Sequence, residues 1–271
     1  MTRPVPPLYR AAAVVLRPLL RAVMRREWRG AEHLPREGGF IAAGNHLTNL
    51  DALVFAHFLY DHGAAPRFLA KHTLFGVPLL GWALRQTEQI PVHRNTSAAR
   101  ESLEPAREAL RRGLCVGIFP EGTFTRDPDL WPMTARPGVG RLALTTRVPV
   151  VPIALWGVQD VLARYGKVPH LVPRRTVRVQ AGPPVPLDDL YDRTGDPQAQ
   201  REATDRVMAA ITGMLAEMRA EQPPARPYDI RRDGDPRAEE LAARRARKQT
   251  RRTARARRRR SAPADGSPGS A

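Results

Sequence analysis

Short apolar runs alternate with stretches of helical period through the middle of the chain. Runs at 38–44, 67–70, 88–93, 114–119, 148–155 and 176–181 predict strands. Helical spacing predicts helices over 50–60, 97–112, 138–146 and 196–219, the second of them stopped by Gly113. In the last, Val207, Ile211, Met214, Leu215 and Met218 form a stripe that reads as core-facing. Strands alternating with helices predict an α/β fold. Its central sheet is largely parallel and covered by helices, and ligands sit at the strand carboxyl ends.

The two ends of the chain read differently. Between Leu8 and Met24, Arg10, Arg17, Arg21 and then Arg25 fall at spacings of seven and four, so they share a helix face. Leu8, Ala12, Val15, Leu16, Leu19, Leu20 and Val23 cover the other side, and Pro18 is expected to kink or divide the helix. The longest uncharged stretch there, 11–16, is far short of the ~20 apolar residues that span a bilayer, which predicts an interfacial amphipathic helix. Arginines break the apolar region and no small-residue cleavage site follows, so the segment does not read as a signal peptide. After about residue 221 the text turns Pro-, Arg-, Ala- and Asp-rich, and 261–271 is of low complexity. The expected organisation is an interfacial helical segment over 1–30, a catalytic-type domain over 31–220 and a disordered basic tail over 221–271.

Charge sharpens that division. A net charge of +17 and a pI near 11.3 first suggest nucleic acid. Yet residues 1–30 carry seven arginines against Glu27, and residues 241–260 carry ten arginines and Lys248 with no acid. Those two ends account for the whole excess, leaving a near-neutral body. The pattern points to an anionic membrane surface, with no specific nucleic acid expected. The single cysteine, Cys115, lies in a predicted buried strand, which excludes an internal disulfide and a thiolate metal site.

The candidate chemistry begins at Asn45-His46-Leu47-Thr48-Asn49-Leu50-Asp51, between the apolar runs 40–43 and 52–55. His46 and Asp51 straddle a strand-to-helix turn, with Thr48 or Asn49 expected as the N-cap and Asn45 as a turn former. One imidazole nitrogen can face substrate while the carboxylate holds the other. No serine or cysteine sits beside them to be activated, so the substrate would supply its own hydroxyl and His46 would deprotonate it directly. A second segment, Phe119-Pro120-Glu121-Gly122-Thr123-Phe124-Thr125-Arg126, follows another apolar run. Its glycine, hydroxyls and guanidinium can converge on a phosphate. His46, Arg94 and Glu121 all fall just past the carboxyl ends of predicted strands. His57 and His62 read as surface groups, and no histidine shows metal-ligand spacing.

These segments resemble the glycerolipid acyltransferase family that includes 1-acylglycerol-3-phosphate (lysophosphatidic acid) acyltransferases. The family's Asn-His-x-Ser-x-x-Asp block matches Asn45, His46 and Asp51, with Thr48 for the serine. Its strand ending in arginine matches Ile90-Pro91-Val92-His93-Arg94. Its Phe-Pro-Glu-Gly-Thr-Arg-Ser block matches Phe119 to Thr123 and then departs, with Phe124 and Thr125 in place of arginine and serine. Its apolar strand around a proline matches Val148 to Leu155. The likeness runs over roughly residues 28–190, with 71–82 and 137–146 fitting the connecting text.

The resemblance implies acyl transfer from an acyl thioester, acyl-CoA or acyl carrier protein, to a lysophospholipid acceptor, giving phosphatidic acid. It implies His46 and Asp51 as the catalytic pair. Arg94 and Arg126 would grip the phosphate, Gly122 and Thr123 would make close backbone and hydroxyl contacts, and Glu121 would orient an arginine or the acceptor's hydroxyl. It implies no metal or organic cofactor, and a peripheral place on the cytoplasmic face of the membrane. Glycerol 3-phosphate or another lysolipid is the alternative acceptor. A non-catalytic basic module that adheres to membrane or nucleic acid is the alternative class.

Overall fold

The computed structural model describes residues 4–93, 103–238 and 240–242. The chain divides into two compact units, Met1–Tyr228 and Asp229–Ala271. In the second, the helix Ile230–Asp233 is capped by Asp229, which accepts the Arg231 N–H at 2.8 Å. Most of the expected tail lies outside the described residues, as do Arg94 and the first part of the predicted helix 97–112.

The first unit is built on a seven-stranded sheet. In chain order the strands are β1 (Met24–Arg29), β2 (Phe40–Gly44), β3 (Arg67–Lys71), β4 (Ile90–Val92), β5 (Cys115–Ile118), β6 (Val150–Trp156) and β7 (Arg175–Ala181). Their order across the sheet is β1-β7-β6-β2-β5-β3-β4. All neighbouring pairs are parallel except β6 with β7, so β2 to β6 run one way. The largely parallel α/β reading holds. Every predicted strand is present, within small shifts of its ends.

Helices cover both faces: α1 (Pro7–Val23), α2 (Asp51–Asp61), α3 (Pro78–Gln86), α4 (Glu104–Arg111), α5 (Gly138–Thr146), the short α6 (Val158–Val161) and α7 (Pro197–Arg219). Side chains alternate across the pleat, which splits the core in two. Ile41, Ala43, Val116, Ile118, Val150 and Ala154 pack under α4, α5 and α7. Phe40, Ala42, Cys115, Val151, Ile153 and Leu155 pack under α1 and α2. Strands buried on both faces must be apolar at every position, which is why these runs stood out in the sequence. Gly140 lets α5 meet α7 closely, since a Cβ there would lie 2.0 Å from the Gln200 carbonyl oxygen.

Three local readings need correction. β1 was not anticipated: four of its six residues are charged, as suits an edge strand, and only its ladder with β7 makes it one. Pro18 does not divide α1, which is continuous from Pro7 to Val23. His57 is not a surface group but is buried edge-on to Trp28, with ring centroids 4.8 Å apart. Burial pushes its pKa down to about 4, against the opposing pull of Asp61.

Candidate active site

β2 ends at Gly44 in the middle of the sheet, and the next residues turn into α2. Asn45 clips that turn to the neighbouring strand. Its Nδ2 donates to the Leu155 carbonyl at 3.0 Å, and its Oδ1 accepts the Leu155 N–H at 2.8 Å. This extends the β2–β6 ladder by a side chain, a firmer task than shaping a turn. The N-cap position falls on Leu50, later than the expected Thr48 or Asn49. Thr48 instead braces the turn, its Oγ1 accepting the Leu50 N–H at 3.0 Å.

Asp51 is fully buried in the first turn of α2, where a carboxylate is favoured by the helix dipole. Its Oδ2 accepts the Leu47 N–H, the Thr48 N–H at 2.7 Å and a hydrogen bond from His46 Nδ1 at 2.8 Å. Thr48 Oγ1 donates to Oδ1 at 3.2 Å. With Nδ1 held inward, Nε2 is the nitrogen left for substrate, and the imidazole keeps 18% of its surface exposed. The ring stacks on Phe119 with centroids 4.0 Å apart, and Phe124 meets it edge-on at 4.5 Å. An aromatic at 124 thus fixes the imidazole's plane, a role that an arginine there would not fill in the same way.

The Phe119–Arg126 loop wraps the same histidine. Thr125 donates its N–H to the His46 carbonyl at 2.8 Å. Glu121 is buried, with Oε1 accepting the His46 N–H at 2.9 Å and Oε2 the Met133 N–H at 3.1 Å. Its oxygens therefore position the histidine's backbone, where an arginine or an acceptor hydroxyl had been expected. Burial pushes the carboxyl up to about 8, while the two backbone N–H groups pull it down.

Gly122 sits at φ +73° and donates its N–H to the Phe119 carbonyl at 3.0 Å, closing the turn. Thr123 is half-buried on the same loop. Arg126 donates Nη1 to the Phe124 carbonyl and to Tyr165 Oη, both at 2.8 Å. Arg164 fastens the loop from beyond α6, donating to the Thr125 and Asp127 carbonyls at 2.9 and 2.7 Å. Arg219, held between Trp131 and Trp156 at 3.9 and 4.2 Å, donates to the Asp129 carbonyl and pins the end of the segment. Neither fastening was legible in the sequence, because each joins a loop to residues distant along the chain.

His46, Asp51, Glu121, Gly122, Thr123 and Arg126 are therefore gathered at the carboxyl edge of the central strands. Arg94 lies outside the described residues; His93, next to it, stacks on His72 past β3 at 4.0 Å.

This arrangement defines a mostly parallel α/β protein with a His–Asp pair at the central strand's carboxyl end. The pattern of the acyltransferase family matches residues 25–156, just under half of the chain. A 1-acyl-sn-glycerol-3-phosphate acyltransferase of Borreliella burgdorferi is 30% identical over 48% of this chain and 51% of its own length. A chloroplastic 1-acyl-sn-glycerol-3-phosphate acyltransferase of Brassica napus is 31% identical over 49% of this chain and 38% of its own. The matched stretch thus spans about half or less of these relatives. The crystal structure of the 1-acyl-sn-glycerophosphate (LPA) acyltransferase PlsC from Thermotoga maritima aligns with a TM-score of 0.60. That alignment covers 79% of this chain and 80% of that one at 21% identity, a likeness of fold.

Proposed function

We propose that the chain moves a fatty acyl group from an acyl thioester, on coenzyme A or acyl carrier protein, to the free hydroxyl of 1-acylglycerol 3-phosphate. The product is phosphatidic acid. The 2.8 Å bond from His46 Nδ1 to a buried carboxylate carries this reading, since it fixes the tautomer and leaves Nε2 to act as a base. The acceptor hydroxyl attacks the thioester carbonyl and gives its proton to Nε2. Collapse of the tetrahedral intermediate expels the thiolate, which takes that proton back and leaves as the thiol. Asp51 stabilises the imidazolium between the two transfers. Arg94, Arg126 and Thr123 bind the phosphate, and Gly122 shapes the loop that approaches it.

A panel of acceptors tests the substrate. With acyl-CoA and acyl carrier protein donors offered in turn, mass spectrometry should find 1-acylglycerol 3-phosphate turned over at least about tenfold faster than lysophosphatidylcholine, whose phosphate is a diester, as one charged hydrogen-bonding group can discriminate. It should also be turned over faster than glycerol 3-phosphate, which lacks the acyl chain. Faster turnover of glycerol 3-phosphate would move the acceptor assignment to it.

We also propose a peripheral place on the cytoplasmic face of an anionic membrane. No described helix is long and apolar enough to cross one. On α1 the arginines do not all face outward: Arg17 and Arg21 pair with Asp61 of α2. Val14, Val15 and Leu19 are instead 72%, 66% and 56% exposed. α1 packs beside α3, whose Leu79 and Trp82 are exposed too, and residues 62–87 contain no acid. An exposed apolar face beside a segment without acids suits an anionic interface. Changing Val15 and Leu19 together to Glu should abolish flotation with phosphatidylglycerol vesicles while leaving thermal unfolding unchanged. Undiminished flotation would place the contact elsewhere.

A further inference from the structure

The acceptor proposed above carries a phosphomonoester, a near-dianion, into a site that already holds the buried acids Asp51, Glu121 and Asp127. Such a ligand needs more than one cation close by. The position after Thr123, an arginine in the family pattern, is Phe124, and its ring is committed to His46. Arg126 sits one step further out: its Nη1 is held by the Phe124 carbonyl and Tyr165 Oη, and its guanidinium lies 5.7 Å from the Tyr165 ring. The loop's cationic side is therefore not where the family motif would place it.

The segment after Trp131 supplies another cation. It runs alongside the loop, with Met133 N–H on Glu121 and Arg136 N–H on the Pro120 carbonyl at 3.0 Å. That pairing throws the Arg136 side chain across Gly122. A Cβ on Gly122 would lie 3.2 Å from Arg136 Nε, 3.3 Å from its Cδ and 3.9 Å from its Cζ. Gly122 thus does two things at once. Its positive φ makes the turn, and its missing side chain lets a guanidinium lie against the loop that holds His46.

We propose that Arg136 binds the acceptor's phosphate from across Gly122, taking the place that Phe124 has vacated. The inference rests on the phosphorylated-acceptor reading. Arg136 is then a specificity residue: it touches the headgroup and no reacting atom. Removing it should weaken the phosphorylated acceptor and spare the donor.

The test compares Arg136→Ala, Arg136→Lys and the parent. Each is assayed with 1-acylglycerol 3-phosphate and with monoacylglycerol, which lacks the phosphate, and titrated calorimetrically with glycerol 3-phosphate. In Arg136→Ala the KM for 1-acylglycerol 3-phosphate should rise about 10- to 100-fold, the scale of one hydrogen-bonded charge. kcat, the donor KM and turnover of monoacylglycerol should stay at the parent's level. Arg136→Lys should recover part of the affinity, and glycerol 3-phosphate binding should weaken in the same order. If Arg136→Ala keeps the parent's acceptor KM and phosphate affinity, the proposal is wrong while the acceptor reading survives. If the parent neither binds glycerol 3-phosphate nor prefers the phosphorylated acceptor, both fall. If Arg136→Ala unfolds, Arg136→Gln takes its place under the same criteria.

Discussion

His46→Ala should abolish measurable acyl transfer from a radiolabelled acyl thioester, with kcat at least about 10²–10⁴ lower, the usual worth of a positioned base. The fold survives this change for reasons visible around the ring. Its neighbours lose one stacked and one edge-on aromatic contact, at about 0.5–1.5 kcal/mol each. The backbone of the turn is held independently, through Glu121 on the His46 N–H and Asp51 on the Leu47 and Thr48 N–H groups. Thermal unfolding should accordingly shift by only a few degrees. His46→Gln, which fills more of the space between Phe119 and Phe124, should be closer to the parent in stability and as inactive as the alanine variant. A variant that keeps normal turnover would remove the base assignment. A competing view, in which the chain is a basic adhesive module, expects vesicle or nucleic-acid binding to survive in both variants and no transfer in the parent.

Much of this site was legible because its parts are local. His46 and Asp51 lie within one turn of each other, and the strand before them is apolar at every position, so their place at a sheet edge followed from pattern alone. Glu121 was legible as a member of the site but not in its role. Which backbone groups its oxygens meet depends on how the Trp131–Arg136 segment folds back, and nothing in local sequence encodes that. β1 was hidden for a related reason. Met24–Arg29 reads as the charged end of an amphipathic helix, and only pairing with β7, some 150 residues on, makes it a strand. His57 was misread because an isolated imidazole carries no pattern; burial beside Trp28 is a tertiary fact. The orientation of α1 was the subtlest point. The arginine spacing was real, but Arg17, Arg21 and Arg26 all pair with Asp61 of α2, and Val14, Val15 and Leu19 are left exposed.

Asp51→Asn separates chemistry from folding more cleanly than any change at the histidine. Three N–H donors converge on Asp51 Oδ2: those of Leu47 and Thr48 and the Nδ1 of His46. An asparagine can satisfy all three only with its amide oxygen in that place, which sends its NH2 toward the Thr48 hydroxyl beside Oδ1. The two backbone donors thereby dictate the amide's orientation, and the His46 tautomer is preserved. What disappears is the negative charge that stabilises the imidazolium. kcat should therefore fall by about 10²–10³, less than the ~10⁴ known where an asparagine also inverts the tautomer, and the acceptor KM should be nearly unchanged. Thermal unfolding should stay near the parent's. Asp51→Leu makes the opposite test: it leaves the same donors buried and unpaired, at about 1–3 kcal/mol for each, and should unfold much of the protein at room temperature. If Asp51→Asn turned over at the parental rate, the carboxylate's role would be confined to building the turn. The imidazolium would then need another counter-charge, and Glu121, the next buried carboxylate along the same backbone, would be the residue to change.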